Sequence, residues 1–155
     1  MSTKQEWGNA CWHLIHSISF KLKDENIQVI ESLNNYIYNV CINLPCPDCS
    51  DHAKTTFAQA KMAGIKVKTI KDLQIFWWKI HNLVNSRLKK PYVTFKDAEE
   101  KYEHAILSKI ILHFMNIMNR NVPGERSMMY TMSRKTAVKK MVDFIKTHQS
   151  SFNIS

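Results

Sequence analysis

Residues 69–91, TIKDLQIFWWKIHNLVNSRLKKP, carry a helix start, an apolar helical run and a helix stop in a single stretch. Thr69 with Asp72 three positions later is a capping box, in which each side chain takes a backbone N–H that the first helical turn leaves unpaired. Apolar residues then return at helical intervals until Pro91, whose ring and missing N–H forbid continuation. The same punctuation repeats outward in both directions. Thr94 and Asp97 form a second box, and beyond it Tyr102, Ile106, Ile110, Phe114 and Ile117 share one stripe, which predicts a single fifth helix. On the other side, Gly64 stops a third helix that Pro47 opens in its first turn. Ile27, Ile30, Leu33, Ile37, Val40 and Leu44 stripe a second helix that Pro45 ends, because the residue before a proline is pushed out of helical geometry. Trp7, Trp12, Ile15, Ile18 and Leu22 predict a first helix over residues 6–23.

The sequence VPGER at 122–126 is the clearest break in the chain, and after it Ser133 is placed to cap a short sixth helix carrying Val138, Met141, Val142 and Ile145. With 3 Gly and 4 Pro in 155 residues, the chain lacks the turn residues that many short strands need. The expected class is all-α, around one compact core.

The formal net charge is +9, unevenly spread. Residues 1–119 hold 15 Lys and Arg against 11 Asp and Glu, whereas residues 120–155 hold 7 against 2. A basic tail can meet nucleic acid, an anionic membrane or an acidic protein. No aromatic stacking platform or nucleic-acid motif accompanies it, so a solvated helix face is expected and nucleic-acid binding is not. The opening MSTKQEWGNA lacks the apolar core of a signal peptide, and no run approaches the ~20 apolar residues of a membrane span. The expectation is an unsecreted chain whose four cysteines are catalytic, metal-binding or core residues, not a structural disulfide framework.

Two of those cysteines fall in NLPCPDCSDHA, residues 43–53. With Pro47 in the first turn, Cys46 stands at the helix N-cap or just inside it and Cys49 one turn on, so their sulfurs can meet. Unpaired N–H groups and the positive end of the helix dipole favour a thiolate there, as a dithiol that exchanges with substrate requires. A lone C-x-x-C leaves a redox pair, half of a zinc site and two inert thiols all open. The zinc reading adds His52, with His13, His16 or His81 as a further ligand, and makes the chain a zinc-stabilised helical binding module docking through its basic C-terminus. No second closely spaced Cys/His pair lies at a zinc-finger distance from it. Cys11 and Cys41 read as buried, unreactive thiols.

Two further segments bear on the choice. Trp12 and His16 stand one helical turn apart on one face. His81, Asn85 and Leu88 share a face of the fourth helix with Val84 beside it, and Lys90 follows at its end. Each residue alone reads as core, but a face of flat rings, amides and one cation suits a large planar cofactor carrying phosphates.

Taken in order, W-G-x-x-x-W-x-x-x-H, L-P-C-P-x-C-x-x-H-A and H-N-x-V-N-x-x-L-x-K-P make residues 6–92 resemble the Erv/ALR family of FAD-linked sulfhydryl oxidases. The resemblance is strongest to members encoded by large double-stranded DNA viruses. It implies a four-helix bundle with a short fifth helix, FAD held beside the C-x-x-C, an oxidase core over residues 1–94 and a C-terminal helical extension over 95–155, packed on the core or following it. It makes Cys46 the sulfur that exchanges with a protein dithiol and Cys49 the flavin-facing sulfur that attacks the flavin ring. Gly8, Trp12 and His16 then line the flavin from the first helix. His81, Asn82, Val84, Asn85, Leu88 and Lys90 hold it from the fourth, Lys90 at the diphosphate, and no metal takes part. Electrons pass to molecular oxygen with release of hydrogen peroxide. The expected partner is a small thioredoxin-like carrier, the expected assembly a homodimer, and the expected setting the cytoplasm of an infected host cell and the virion. Two departures stand out: the chain has no second C-x-x-C on a shuttle arm, and no cysteine follows Cys49.

Overall fold

The computed structural model describes residues 4–121 and 128–154, so the break read at 122–126 lies outside the described residues. Seven helices follow one another among the described residues: α1 (Lys4–Lys21), α2 (Ile27–Cys41), α3 (Pro47–Met62), α4 (Ile70–Arg87), α5 (Phe95–Tyr102), α6 (Leu107–Met118) and α7 (Met128–Thr147). A short 3₁₀ turn over Gln149–Ser151 follows α7, and an antiparallel bridge between Leu22 and Phe152 is the sole β pairing among these residues. The all-α class is what the fold shows.

Local chemistry explains most of the boundaries. At the start of α4, Asp72 N–H donates to Thr69 Oγ1 at 3.0 Å and Thr69 N–H donates to Asp72 Oδ2 at 3.2 Å, closing the capping box in both directions. At its end, Lys90 N–H reaches Asn85 O at 2.8 Å and Lys89 N–H reaches Ser86 O at 3.2 Å, a Schellman turn that needs a left-handed residue. That residue is Lys89, with φ 57°, a conformation costing a non-glycine about 1 kcal/mol. The turn sends the chain back along α4, where Trp78 Nε1 and Asn82 Nδ2 both donate to Val93 O, at 2.7 and 2.9 Å, and Val93 N–H donates to Asn82 Oδ1 at 3.0 Å.

Three expectations are corrected. The second helix stops at Cys41 rather than running to Leu44, because both backbone groups of Leu44 are taken by side chains of α3 and α7. The single fifth helix is two: α5 ends at Tyr102, and a turn over residues 103–106 precedes α6. Buried Lys21 of α1 donates its ammonium to Glu103 O at this turn, supplying the helix-end carbonyl with a partner that a continuous helix would have used internally. Ser133 lies inside a 20-residue α7 that is already helical at Met128.

One hydrophobic cluster joins α1, α2, α4, α6 and α7, with residues such as Leu14, Ile18, Leu33, Trp77, Phe114 and Met141 at its centre. α1 packs most broadly on α6 and α4, and α2 on α7. Trp77 Nε1 donates to Asn34 Oδ1 at 2.8 Å, so the largest buried ring of α4 is oriented from α2. Arg134 of α7, fully buried, donates to Met118 O at 2.6 Å and to Arg120 O at 3.2 and 3.3 Å, pairing carbonyls at and just beyond the C-terminal end of α6. No helix among the described residues is long and apolar enough to cross a membrane.

Candidate active site

The site is built at the starts and faces of α3, α1 and α4. Pro47 occupies the first turn of α3, leaving Cys46 as N-cap with extended backbone (φ −123°, ψ 109°). Cys49 N–H, one of the donors a helix start leaves unpaired, points at Cys46 Sγ at 3.2 Å. Cys46 and Cys49 are joined by a disulfide, with their Cα atoms 5.2 Å apart. Cys49, Ala53 and Phe57 recur at four-residue spacing and lie against the core, while Ser50 is the one fully buried residue of α3. Phe57 anchors the helix among Tyr38 and Trp77, at ring-centroid distances of 4.6 and 5.4 Å.

α1 and α4 bring Trp12, His16 and His81 together. Trp12 stacks on His81 with centroids 4.0 Å apart and planes 7° from parallel, and on His16 at 5.6 Å. His16 Nε2 and His81 Nδ1 share a 2.8 Å hydrogen bond. Tyr102 closes the stack, its ring 4.9 Å from that of His16. In the sequence Tyr102 read as one rung of a helical stripe; that its helix stops there and turns it onto His16 is a tertiary fact with no local signal.

Burial governs the electrostatics. Loss of hydration pushes His16 down to about 3, helped by neighbouring His81, Lys101 and His13. His81 falls to about 4, again mainly by burial, with Lys101 and Lys90 adding repulsion. Both rings are therefore neutral at pH 7. Burial raises the Tyr102 phenol to about 12, so it keeps its proton.

The remaining predicted residues are placed as follows. Gly8 is half-buried one turn before Trp12, and a methyl group on it would meet no atom within 4 Å, so the space beside it is open. Asn85 is 7% exposed, one turn beyond His81, with Val84 half-buried beside it and Leu88 exposed at the C-cap. The amide of Asn82 is committed to Val93 and so pins the segment after α4. His52 is exposed on α3. Cys11 and Cys41 are buried; burial raises the first thiol well above its ordinary value and the second to about 12, so neither forms a thiolate at neutral pH. Cys11 Sγ instead donates to Met118 Sδ at 3.7 Å. Among the described residues no three His, Cys, Asp or Glu side chains converge as a metal ion requires.

The chain thus carries a disulfide at the start of α3 and a stack of flat, uncharged rings supplied by α1, α4 and α5. Lys90 and Lys101 both lie close enough to His81 to depress its pKa, so two cations flank the stack. His16 Nδ1 is buried with no hydrogen-bond partner among the described residues. Parallel rings, a spare buried nitrogen and two flanking cations fit a planar heteroaromatic cofactor that carries phosphates.

The Erv1 / Alr family model matches residues 9–103, most of the chain. The chain belongs to the Erv1 / Alr family. The 096R protein of Invertebrate iridescent virus 3, whose name provisionally assigns it as an FAD-linked sulfhydryl oxidase, is 31% identical over 97 residues, which cover 62% of this chain and 65% of that protein. The FAD-linked sulfhydryl oxidase of African swine fever virus, isolate Warthog/Namibia/Wart80/1980, is 28% identical over 109 residues, 67% of this chain and 86% of its own. Sulfhydryl oxidase 1 of Arabidopsis thaliana is 24% identical over 160 residues, taking in 97% of this chain but 28% of the plant protein. The chain thus spans under two thirds of the iridescent virus relative and about a quarter of the plant one. No solved structure matches the chain significantly. Within an Erv1 / Alr chain, the family match takes in Trp12, His16, the Cys46–Cys49 disulfide, His81 and Tyr102 alike.

Proposed function

We propose that this chain is an FAD-linked thiol oxidase that forms disulfides in protein substrates and passes the electrons to oxygen with release of hydrogen peroxide. The observation that carries the reading is the Cys46–Cys49 disulfide at the N-terminus of α3, in a family whose viral relatives are named FAD-linked sulfhydryl oxidases. FAD fits the ring stack and its flanking cations, and when bound it supplies the two-electron acceptor and the oxygen chemistry that side chains lack. Trp12 and His81 offer it flat faces, His16 a buried nitrogen, and Lys90 and Lys101 positive charge for its diphosphate.

The protein's own step is thiol–disulfide exchange. A substrate thiolate attacks Cys46 Sγ, the Cys46–Cys49 bond breaks, a substrate–Cys46 bond forms, and Cys49 departs as thiolate. A second substrate thiolate attacks the substrate sulfur of that mixed disulfide, so the substrate leaves oxidised and Cys46 is released. The N–H of Cys49, already aimed at Cys46 Sγ, stabilises the departing Cys46 sulfur as an anion. Neutral His16 and His81 add no charge to the dry side of the site.

Partners and setting are part of the same proposal: a protein dithiol, carried by a small thioredoxin-like protein; a homodimeric enzyme; and the cytoplasm of an infected cell and the virion. The purified chain should carry a flavin spectrum and consume oxygen with dithiothreitol, forming one hydrogen peroxide per disulfide. A colourless protein that shows no thiol-dependent oxygen uptake with added FAD would refute the proposal.

A further inference from the structure

α3 carries the disulfide, yet it buries only Ser50, and its contacts with other helices are sparser than those of any core helix. What holds its N-terminal end in register comes from the far end of the chain. Leu44 N–H donates to Ser50 Oγ at 2.9 Å, Ser50 Oγ and Tyr130 Oη are 3.0 Å apart, and Tyr130 Oη–H donates to Leu44 O at 2.7 Å. Since the phenol proton goes to Leu44 O, the Ser50 hydroxyl proton goes to Tyr130 Oη. The result is a closed ring in which every polar group of Leu44 is paired.

The ring brackets the redox pair. Leu44 stands two residues before Cys46 and Ser50 one residue after Cys49, while Tyr130 belongs to α7, which is itself fixed on α2 through Phe144 and Tyr36, with rings 4.9 Å apart. Both ends of the segment 44–50 are thereby tied to each other and to the core. Resting on the oxidase reading above, we propose that Tyr130 is a positioning residue for the Cys46–Cys49 couple. By holding the segment closed when the disulfide is reduced, it keeps the two thiols at high effective concentration and so favours the disulfide.

The test is the equilibrium constant of the couple in glutathione buffers, read by trapping free thiols in the full-length chain. The expected result is a fall of about fivefold in Tyr130→Phe, the worth of one net hydrogen bond. A similar fall is expected in Ser50→Ala, and no further fall in the double variant, because both substitutions open the same ring. Lys139→Ala, on the exposed side of α7, should leave the constant unchanged. Wild-type constants in both single variants would overturn the proposal whatever their thermal stability, since a purely structural tyrosine lowers Tm without moving the couple. A double variant that falls by the product of the singles would also overturn it. The titration needs no flavin, so it fails independently of the oxidase reading, which fails if wild-type protein neither binds FAD nor consumes oxygen.

Discussion

Acidification from pH 8 to pH 5 should weaken the fold by about 2 kcal/mol through His16 alone. The side chain is 1% exposed, and burial lowers its pKa from the ordinary 6.5 to about 3. A depressed folded-state value means that the unfolded chain binds the proton better, so the contribution to stability is complete above pH 6.5 and shrinks as pH falls toward 3. At pH 5 the unfolded imidazole is protonated and the folded one is not. The gap of about 1.5 pH units, at 1.36 kcal/mol per unit, gives the ~2 kcal/mol, which is about 4–8 °C in Tm for a domain of this size. His81 pulls in the same direction, more weakly because its ring is half-buried. The assay is urea unfolding of flavin-free protein at each pH, wild type beside His16→Gln, which carries no titrating group. The wild type should lose ~2 kcal/mol relative to the variant between pH 8 and pH 5. Parallel pH profiles would show that the imidazole is hydrated, and the reasoning from burial would be wrong.

Other consequences are sharper in kind than in size. Cys41→Ser should leave thiol oxidase turnover nearly unchanged, because burial holds that thiol at about 12 and out of any relay, whereas Cys46→Ser should abolish turnover of protein dithiols; oxygen uptake distinguishes the two. Asn82→Ala removes both amide bonds to Val93 and strands a backbone N–H, at a cost of about 1–3 kcal/mol in urea unfolding. Arg134→Ala leaves Met118 O and Arg120 O without their cap and opens a cavity in the core, so a loss of about 3 kcal/mol is expected, read as a lowered Tm with no change in the glutathione equilibrium of the disulfide.

What could be read in the sequence was what is encoded within one helical turn. The Thr69–Asp72 box, Pro47 in a first turn and Gly64 at φ 74° all act through neighbours three or four residues away. Trp12 and His16 declared their shared face for the same reason. The break after Tyr102 did not, because KYEHAILSK contains neither Gly nor Pro and its carbonyl partner, Lys21, is 82 positions away in the chain. Leu44 looked like a stripe residue until Ser50 and Tyr130 claimed its backbone, one of them from 86 residues downstream. Arg134 and Tyr102 are legible only after folding for the same cause: each acts on a surface that its own segment does not contain. The redox pair announced its spacing, and α1, α3 and α4 could be read as helices, but how they pack against one another is encoded in no single segment.

The measurement that bears most directly on the central claim is anaerobic mixing of the purified chain with dithiothreitol, followed through the visible absorption of its flavin. If Cys46 and Cys49 deliver electrons to bound FAD, the flavin band should bleach in the wild type, return when oxygen is admitted, and persist unbleached in Cys49→Ser. A flavin that bleaches equally fast in Cys49→Ser would contradict the account.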